Sequence, residues 1–203
     1  MLFRSILFYF FIALWTVFMG IICFPFLILP TIYLRNPVNI WIIGILKLLK
    51  LTCNITYEIN GLDKIPKKAV IIASKHQSAF ETFAFFLHIK NSIFIHKKQL
   101  FWIPIFGQYL QKANMISINR SEGTKAMRTI LKQAKQKILS GYSIVIFPEG
   151  TRKKPGDIPD YKTGIAGIYQ EAETEILPVA LNSGYCWPKH SFVKQSGISL
   201  YNS

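Results

Sequence analysis

The stretch that decides the fold is AVIIASKHQSAFETFAFFLH, residues 69–88. Its first six residues, Ala69–Ser74, are apolar and rich in β-branched side chains, which reads as a short buried strand. Lys75–Glu81 is polar, and Thr82–His88 continues a helix. A strand therefore runs into a polar loop and then into a helix. Working outward, Ser92–Ile95, Met115–Ile118, Ser143–Phe147 and Ile176–Leu181 read as further strands of the same kind. Between them, Lys125–Leu139 carries Met127, Ile130, Leu131, Ala134 and Ile138 as an apolar stripe at helical spacing. Ser121 or Thr124 can cap the start of that helix, and Gly141 can end it. Strands alternating with helices predict an α/β domain. In such domains ligands sit beyond the carboxyl ends of the strands. Two polar clusters stand there: Lys75–Glu81 after AVIIAS, and Pro148–Arg152 after SIVIF.

The chain has 203 residues, enough for one domain and a short appendage. Lys and Arg number 24 against 10 Asp and Glu, a formal charge of +14, yet 51% of residues are hydrophobic. A disordered tail would be poor in apolar residues, so that class is excluded. A soluble nucleic-acid binder needs charge without apolar excess, so no nucleic-acid partner is expected. Cys23, Cys53 and Cys186 are odd in number, far apart and without a C-x-x-C pair, which argues against a disulfide framework or a zinc site.

The apolar and basic parts separate along the chain. No charged residue occurs between Arg4 and Arg35. Ser5–Phe24 is long enough to cross a bilayer at about 20 residues per helical span. It exceeds the apolar core of a signal peptide, about 7–15 residues, so membrane attachment is the expectation. A second apolar segment, Val38–Leu51, places Asn39, Lys47 and Lys50 in one sector of a helix, opposite Trp41, Ile42, Ile45, Leu48 and Leu49. That pattern predicts a helix lying in the membrane interface with its lysines reaching the headgroups. A core helix with two solvated lysines is the alternative. Residues 1–60 carry four Lys/Arg and one Glu, and the remaining positive excess lies downstream. The expected division is 1–52 as membrane-associating helices and 53–203 as the catalytic domain. If the first segment spans, the basic body is expected on the cytoplasmic side.

Each cluster has a chemistry and a bland alternative. His76 and Glu81 stand five apart at the strand-to-helix junction. Imidazole takes up and releases a proton near neutrality, and a carboxylate on one ring nitrogen fixes the tautomer and leaves the other as base. The alternative is a surface histidine beside an unrelated acid at a helix start. In Phe147–Arg152, FPEGTR, Gly150 permits close backbone approach and Arg152 can hold a phosphate in bidentate fashion. Glu149 can accept hydrogen bonds from hydroxyls; a Pro/Gly turn with an exposed ion pair is the alternative. Asn119-Arg120 supplies a second guanidinium after MISI. His88 and His96 read as structural or solvated. Lys125, Arg128, Lys132 and Lys135 recur on one helical face, where anionic lipid, an acidic acyl carrier or plain solvent are all open. P-loop, G-x-G-x-x-G, H-E-x-x-H and G-x-S-x-G patterns are absent, and Ser78 lacks the elbow of a nucleophile.

Taken together these blocks resemble the glycerolipid acyltransferase family, and within it the bacterial 1-acyl-sn-glycerol-3-phosphate acyltransferases. The blocks are His76–Glu81, the KKQLFWIPIFG stretch 97–107, Asn119-Arg120, FPEGTR and Pro178–Gly184, in order over about residues 60–188. The resemblance implies a mixed sheet flanked by helices, after the apolar N-terminal segment. It implies transfer of an acyl chain from a thioester, acyl-CoA or acyl carrier protein, to the sn-2 hydroxyl of lysophosphatidic acid, giving phosphatidic acid. Glycerol 3-phosphate or another lyso-lipid as acceptor, and an inactive membrane-bound remnant, are the alternatives. His76 would be the base and Glu81 its orienting group. Arg120 and Arg152 would hold the phosphate, and Glu149, Gly150 and Thr151 would order the substrate. No metal or redox cofactor is implied. Glu81 stands where the family most often has Asp, and Asn114 where it has a small Gly. The family usually runs some tens of residues past Gly184, against nineteen here, so the C-terminus reads as truncated.

Overall fold

The computed structural model describes residues 1–104, 106–119 and 123–202. The chain order is α1 (Leu2–Ile22), α2 (Arg35–Cys53), β1 (Ile55–Asn60), β2 (Ile71–Ser74), α3 (Phe80–His88), β3 (Ser92–Lys97), α4 (Phe106–Lys112), β4 (Ile116–Ile118), α5 (Gly123–Leu139), β5 (Ser143–Ile146), α6 (Gly164–Ala172), β6 (Ile176–Leu181), α7 (Ser183–Cys186) and β7 (Gly197–Asn202). The five strands expected from sequence are present as β2 to β6. Thr124 lies inside α5, and Ser121 lies outside the described residues.

The strands form one sheet in the order β1-β7-β6-β2-β5-β3-β4. Every neighbouring pair is parallel except β6 with β7. The sheet is therefore mixed and covered on both faces. Period-two alternation along β2 and β5 sorts the two cores. Val70, Ile72 and Val145 point to one face, where they meet Phe8 of α1, Ile42, Ile45 and Leu49 of α2, and Phe80, Ala84 and Phe85 of α3. Ile71 and Ile144 point to the other, against Ile130, Ala134 and Ile138 of α5 and Ile168 and Ala172 of α6.

Sequence patterning left β1 and β7 unassigned. ITYEIN and GISLYN each mix polar with apolar residues, and they pair parallel in full register, Ile55 with Gly197 through Asn60 with Asn202. β7 lies inside the sheet, between β1 and β6.

The second apolar segment differs from its leading expectation. The apolar stripe expected to face the lipid, opposite the lysines, is the one packed on the sheet: Ile45 and Leu49 are fully buried and Ile42 nearly so. An apolar stripe covers whichever apolar surface is nearest, and here β1, β2 and α3 offer one. Lys47 and Lys50 remain exposed on the outer side. Arg35, the first residue of α2, is tied to α3. Its Nη2 donates to Phe86 O at 2.8 Å and Ile89 O at 2.7 Å, satisfying carbonyls at the end of α3. Its guanidinium also lies 4.7 Å over the Phe86 ring.

The helix α1 packs on α2. Trp15 Nε1 donates to Trp41 O at 2.9 Å, and Trp41 Nε1 donates to Thr16 Oγ1 at 3.1 Å. The body holds α1 near both ends. Tyr109 of α4 donates to Gly20 O at 3.1 Å. Lys194, only 2% exposed, donates through its backbone N–H to Ser5 Oγ at 2.8 Å and through Nζ to Tyr9 OH at 2.7 Å. Burial pushes the Lys194 ammonium down to about 8. The remainder of α1 is apolar and open, including Phe3, Phe10, Leu14, Val17, Phe18 and Ile21. The turns that follow continue this surface with Phe24, Ile28 and Ile32. By length and composition, Leu2–Ile22 and Thr31–Cys53 are each sufficient to cross a membrane.

Candidate active site

The strands β6, β2 and β5 are adjacent and parallel, so their carboxyl ends deliver three loops to one edge of the sheet. The loop after β2 carries His76, the loop after β5 carries Phe147–Arg152, and the turn after β6 carries Ser183. Such an edge is the usual ligand site of an open α/β sheet.

His76 and Glu81 come together. His76 Nδ1 lies 2.9 Å from Glu81 Oε1, with the imidazole 20% exposed and the carboxylate fully buried. The acceptor oxygen fixes Nδ1 as the protonated nitrogen and leaves Nε2 as the one with a free lone pair. The added methylene of a glutamate relative to an aspartate is accommodated by the loop. The same Oε1 accepts the backbone N–H groups of Gln77 and Ser78, each at 2.7 Å. Oε2 accepts the Ser183 hydroxyl at 2.7 Å. Four donors thus converge on one buried carboxylate, the arrangement that makes a buried charge tolerable.

The imidazole is held from two further directions. It stacks on Phe147, with ring centroids 4.0 Å apart and planes 12° apart. Its backbone N–H donates to Glu149 Oε2 at 2.9 Å, and its carbonyl accepts the Lys153 N–H at 2.7 Å. Glu149 is 2% exposed. Its carboxylate therefore clasps the His76 loop to the FPEGTR loop. Gly150 adopts φ +64, a left-handed conformation that glycine reaches without strain. Its N–H closes the turn onto Phe147 O at 2.8 Å. Thr151 is exposed and accepts a hydrogen bond from Lys189 Nζ at 3.3 Å, and Arg152 beside it is half-buried. Arg120 lies outside the described residues. Asn119 follows β4, which is separated from β2 by β5 and β3, about 14 Å along the sheet at the usual strand spacing.

His88 and His96 stand apart from this cluster. His88 shares a 2.9 Å hydrogen bond with the Tyr57 hydroxyl, and the His96 ring meets the edge of Phe101. Burial pushes both below the ordinary imidazole range.

Sequence reasoning missed three residues of the cluster. Ser183 sits inside the LNSG run, where nothing local ties it to a carboxylate 102 positions away. Gln77 lies within the His76 loop, and its side-chain oxygen accepts the Gly184 N–H at 3.1 Å, joining the first block to the last. Phe147 reads from sequence as the end of a strand. Only the pairing of β2 with β5 brings it under His76.

A cavity of about 330 Å³ opens between α1, α2, α3 and α4. Its walls are apolar, including Val17, Met19, Val38, Trp41, Phe83 and Phe106. It reaches Thr82 and Phe83, the two residues after Glu81 in α3.

This arrangement has relatives. A family model described as Acyltransferase matches residues 56–182. The chain is 34% identical over 163 residues to a 1-acyl-sn-glycerol-3-phosphate acyltransferase of Pseudomonas aeruginosa, covering 80% of this chain and 63% of that protein. A protein of the same name from Helicobacter pylori is 34% identical over 137 residues, covering 64% of this chain and 57% of that protein. One from Cocos nucifera is 33% identical over 135 residues, covering 66% and 44%. The chain thus spans less than two thirds of the length of each of these curated relatives. The crystal structure of the 1-acyl-sn-glycerophosphate (LPA) acyltransferase PlsC from Thermotoga maritima superposes with a TM-score of 0.81 at 22% identity, over 99% of this chain and 82% of that one, so the fold is shared. With the family model spanning well over half of its residues, including the His76–Glu81 pair and the FPEGTR loop, this chain belongs to the acyltransferase family.

Proposed function

We propose that this protein is an O-acyltransferase that moves an acyl chain from a thioester to the sn-2 hydroxyl of lysophosphatidic acid, giving phosphatidic acid. The observation that carries the reading is His76 with Nδ1 bound to a fully buried carboxylate and Nε2 without a hydrogen-bond partner among the described residues. Nε2 takes the proton of the acceptor hydroxyl as its oxygen attacks the thioester carbonyl. The tetrahedral adduct collapses with cleavage of the C–S bond, and the imidazolium returns its proton to the leaving thiolate. Glu81 stays ionised and balances the transient imidazolium. Base catalysis of this kind contributes about 10²–10⁴-fold. Arg152 holds the phosphate of the acceptor, with Arg120 as the second guanidinium. Thr151 orders the glycerol end, and Gly150 lets the backbone come close. The apolar cavity beside Thr82 and Phe83 suits an acyl chain.

The open face of α1 seats in the membrane. Because α1 is held to the body near both ends, by Lys194 and by Tyr109, its contact with lipid is one-sided. This favours attachment at the interface over a free-standing span. The basic body then lies on the cytoplasmic side of the inner membrane, where the thioester donors are.

The test is acyl transfer by purified protein with acyl-CoA and a panel of acceptors, following thiol release and lipid product together. The expected result is phosphatidic acid from lysophosphatidic acid, and none from His76→Ala. Product from glycerol 3-phosphate alone moves the acceptor. Free fatty acid without any acceptor makes the protein a thioester hydrolase. Vesicle binding without any turnover makes it a lipid-binding remnant.

A further inference from the structure

On the reading that the acyl donor is a thioester, we infer that the outer face of α5 docks an acidic carrier protein that delivers the acyl chain. Lys125, Arg128 and Lys132 fall at i, i+3 and i+7, all exposed and opposite the buried stripe Ala126, Ile130, Ala134. No acidic residue occurs between 123 and 139. Lys135, the next on this face, is paired with Glu171 of α6 at 3.3 Å, so the face available to a partner is the N-terminal half of the helix.

From sequence, plain solvent, anionic lipid and an acidic protein are all open for this face. The two cores separate them. The open apolar surface belongs to α1, which shares its core with Ile72 and Val145. The helix α5 shares its core with Ile71 and Ile144. Neighbouring residues of a strand point to opposite faces, so α5 lies across the sheet from α1. A bilayer meeting α1 is separated from the outer face of α5 by the sheet and a helix layer on each side. That exceeds the screening length of about 8 Å at physiological ionic strength, so lipid charge is not felt there. What remains is a basic face turned to the aqueous side, which attracts an acidic protein.

The direction of α5 also fits. It connects β4 to β5, both parallel to β3, so its N-terminal end lies at the sheet edge that carries His76 and the FPEGTR loop. A carrier lying against Lys125, Arg128 and Lys132 therefore presents its thioester arm toward the catalytic edge, while the lipid acceptor arrives from the side of α1.

The experiment compares one acyl chain on two donors, an acyl carrier protein and coenzyme A, with lysophosphatidic acid as acceptor. Wild type is set against the triple variant Lys125→Ala, Arg128→Ala, Lys132→Ala. For the carrier-bound chain, kcat/KM is expected to fall about 10-fold or more in the variant at low salt, with the gap closing as salt rises. With acyl-CoA it is expected to stay unchanged, as is binding to anionic vesicles. Equal kcat/KM for the carrier donor in both proteins, or an equal drop with both donors, overturns the inference. Loss of vesicle binding in the variant assigns the face to lipid and also overturns it. A wild type that uses acyl-CoA but not the carrier refutes the docking site and leaves the acyl-transfer reading standing. A wild type inactive with both donors refutes the acyl-transfer reading itself.

Discussion

Ser183→Ala tests whether the buried carboxylate depends on its fourth donor. Glu81 Oε1 receives His76 Nδ1 and the N–H groups of Gln77 and Ser78, whereas Ser183 is the partner of Oε2 among the described residues. Ser183 and Glu81 are both fully buried, so water does not readily replace the hydroxyl. A hydrogen bond to a charged group is worth about 1.5–3 kcal/mol. At about 2 kcal/mol, a chain of this size loses roughly 4–8 °C in Tm. Catalysis falls as well, because a carboxylate held on one side turns and takes the imidazole with it. A loss of 1.4 kcal/mol in the barrier is about tenfold in kcat. KM for donor and acceptor is expected to stay put, since Ser183 faces Glu81 and is closed to substrate. The assays are thermal unfolding by circular dichroism and steady-state thiol release. Ser183→Thr keeps the hydroxyl and is expected to recover much of kcat even if the added methyl lowers Tm. A Ser183→Ala protein with Tm and kcat both at wild-type values refutes the reasoning.

Three further outcomes are expected. Gly150→Ala places a side chain at φ +64, costing about 1–2 kcal/mol and displacing the FPEGTR turn; kcat/KM for a phosphorylated acceptor should drop more than Tm does. Gly44→Ala puts a Cβ within 2.3 Å of the Trp15 ring, so α1 must move off α2; the cost is about 1–3 kcal/mol of overpacking, read as lower Tm and altered tryptophan fluorescence. Lys194 loses its proton near pH 8 in the folded chain but only near 10.5 when unfolded, so between those values the unfolded state binds more protons and stability rises with pH. Lys194→Met should remove that part of the slope in urea titrations from pH 7 to 9.5, and identical slopes in both proteins would rule the assignment out.

The His76–Glu81 contact was legible in the sequence because its spacing is local. Five residues separate His76 from Glu81, and a strand ending before them fixes the loop. FPEGTR was legible for the same reason, as a turn directly after a strand. Glu149 was found, but its bond to the backbone of a residue 73 positions away was not, since nothing local signals it. Ser183 and Phe147 stand inside the Pro178–Gly184 and FPEGTR blocks, but nothing local gives either one its partner. Their roles arise only when β6, β2 and β5 lie side by side.

The sequence by itself determined the alternation of strands with helices, the apolar N-terminus and the residues at the strand ends, because these depend on near neighbours and on hydrophobic period. Tertiary structure decided where the apolar surfaces go. The stripe of α2 looks the same to a bilayer as to a sheet, and Ile42, Ile45 and Leu49 went to the sheet. The stripe of α1 has little of the sheet left to cover, so most of it stays open. Which side of the sheet carries the open apolar face of α1, and which carries the exposed Lys125, Arg128 and Lys132 of α5, likewise follows from packing. Charge and hydropathy are written along the chain, but the face they end on is set by long-range contacts.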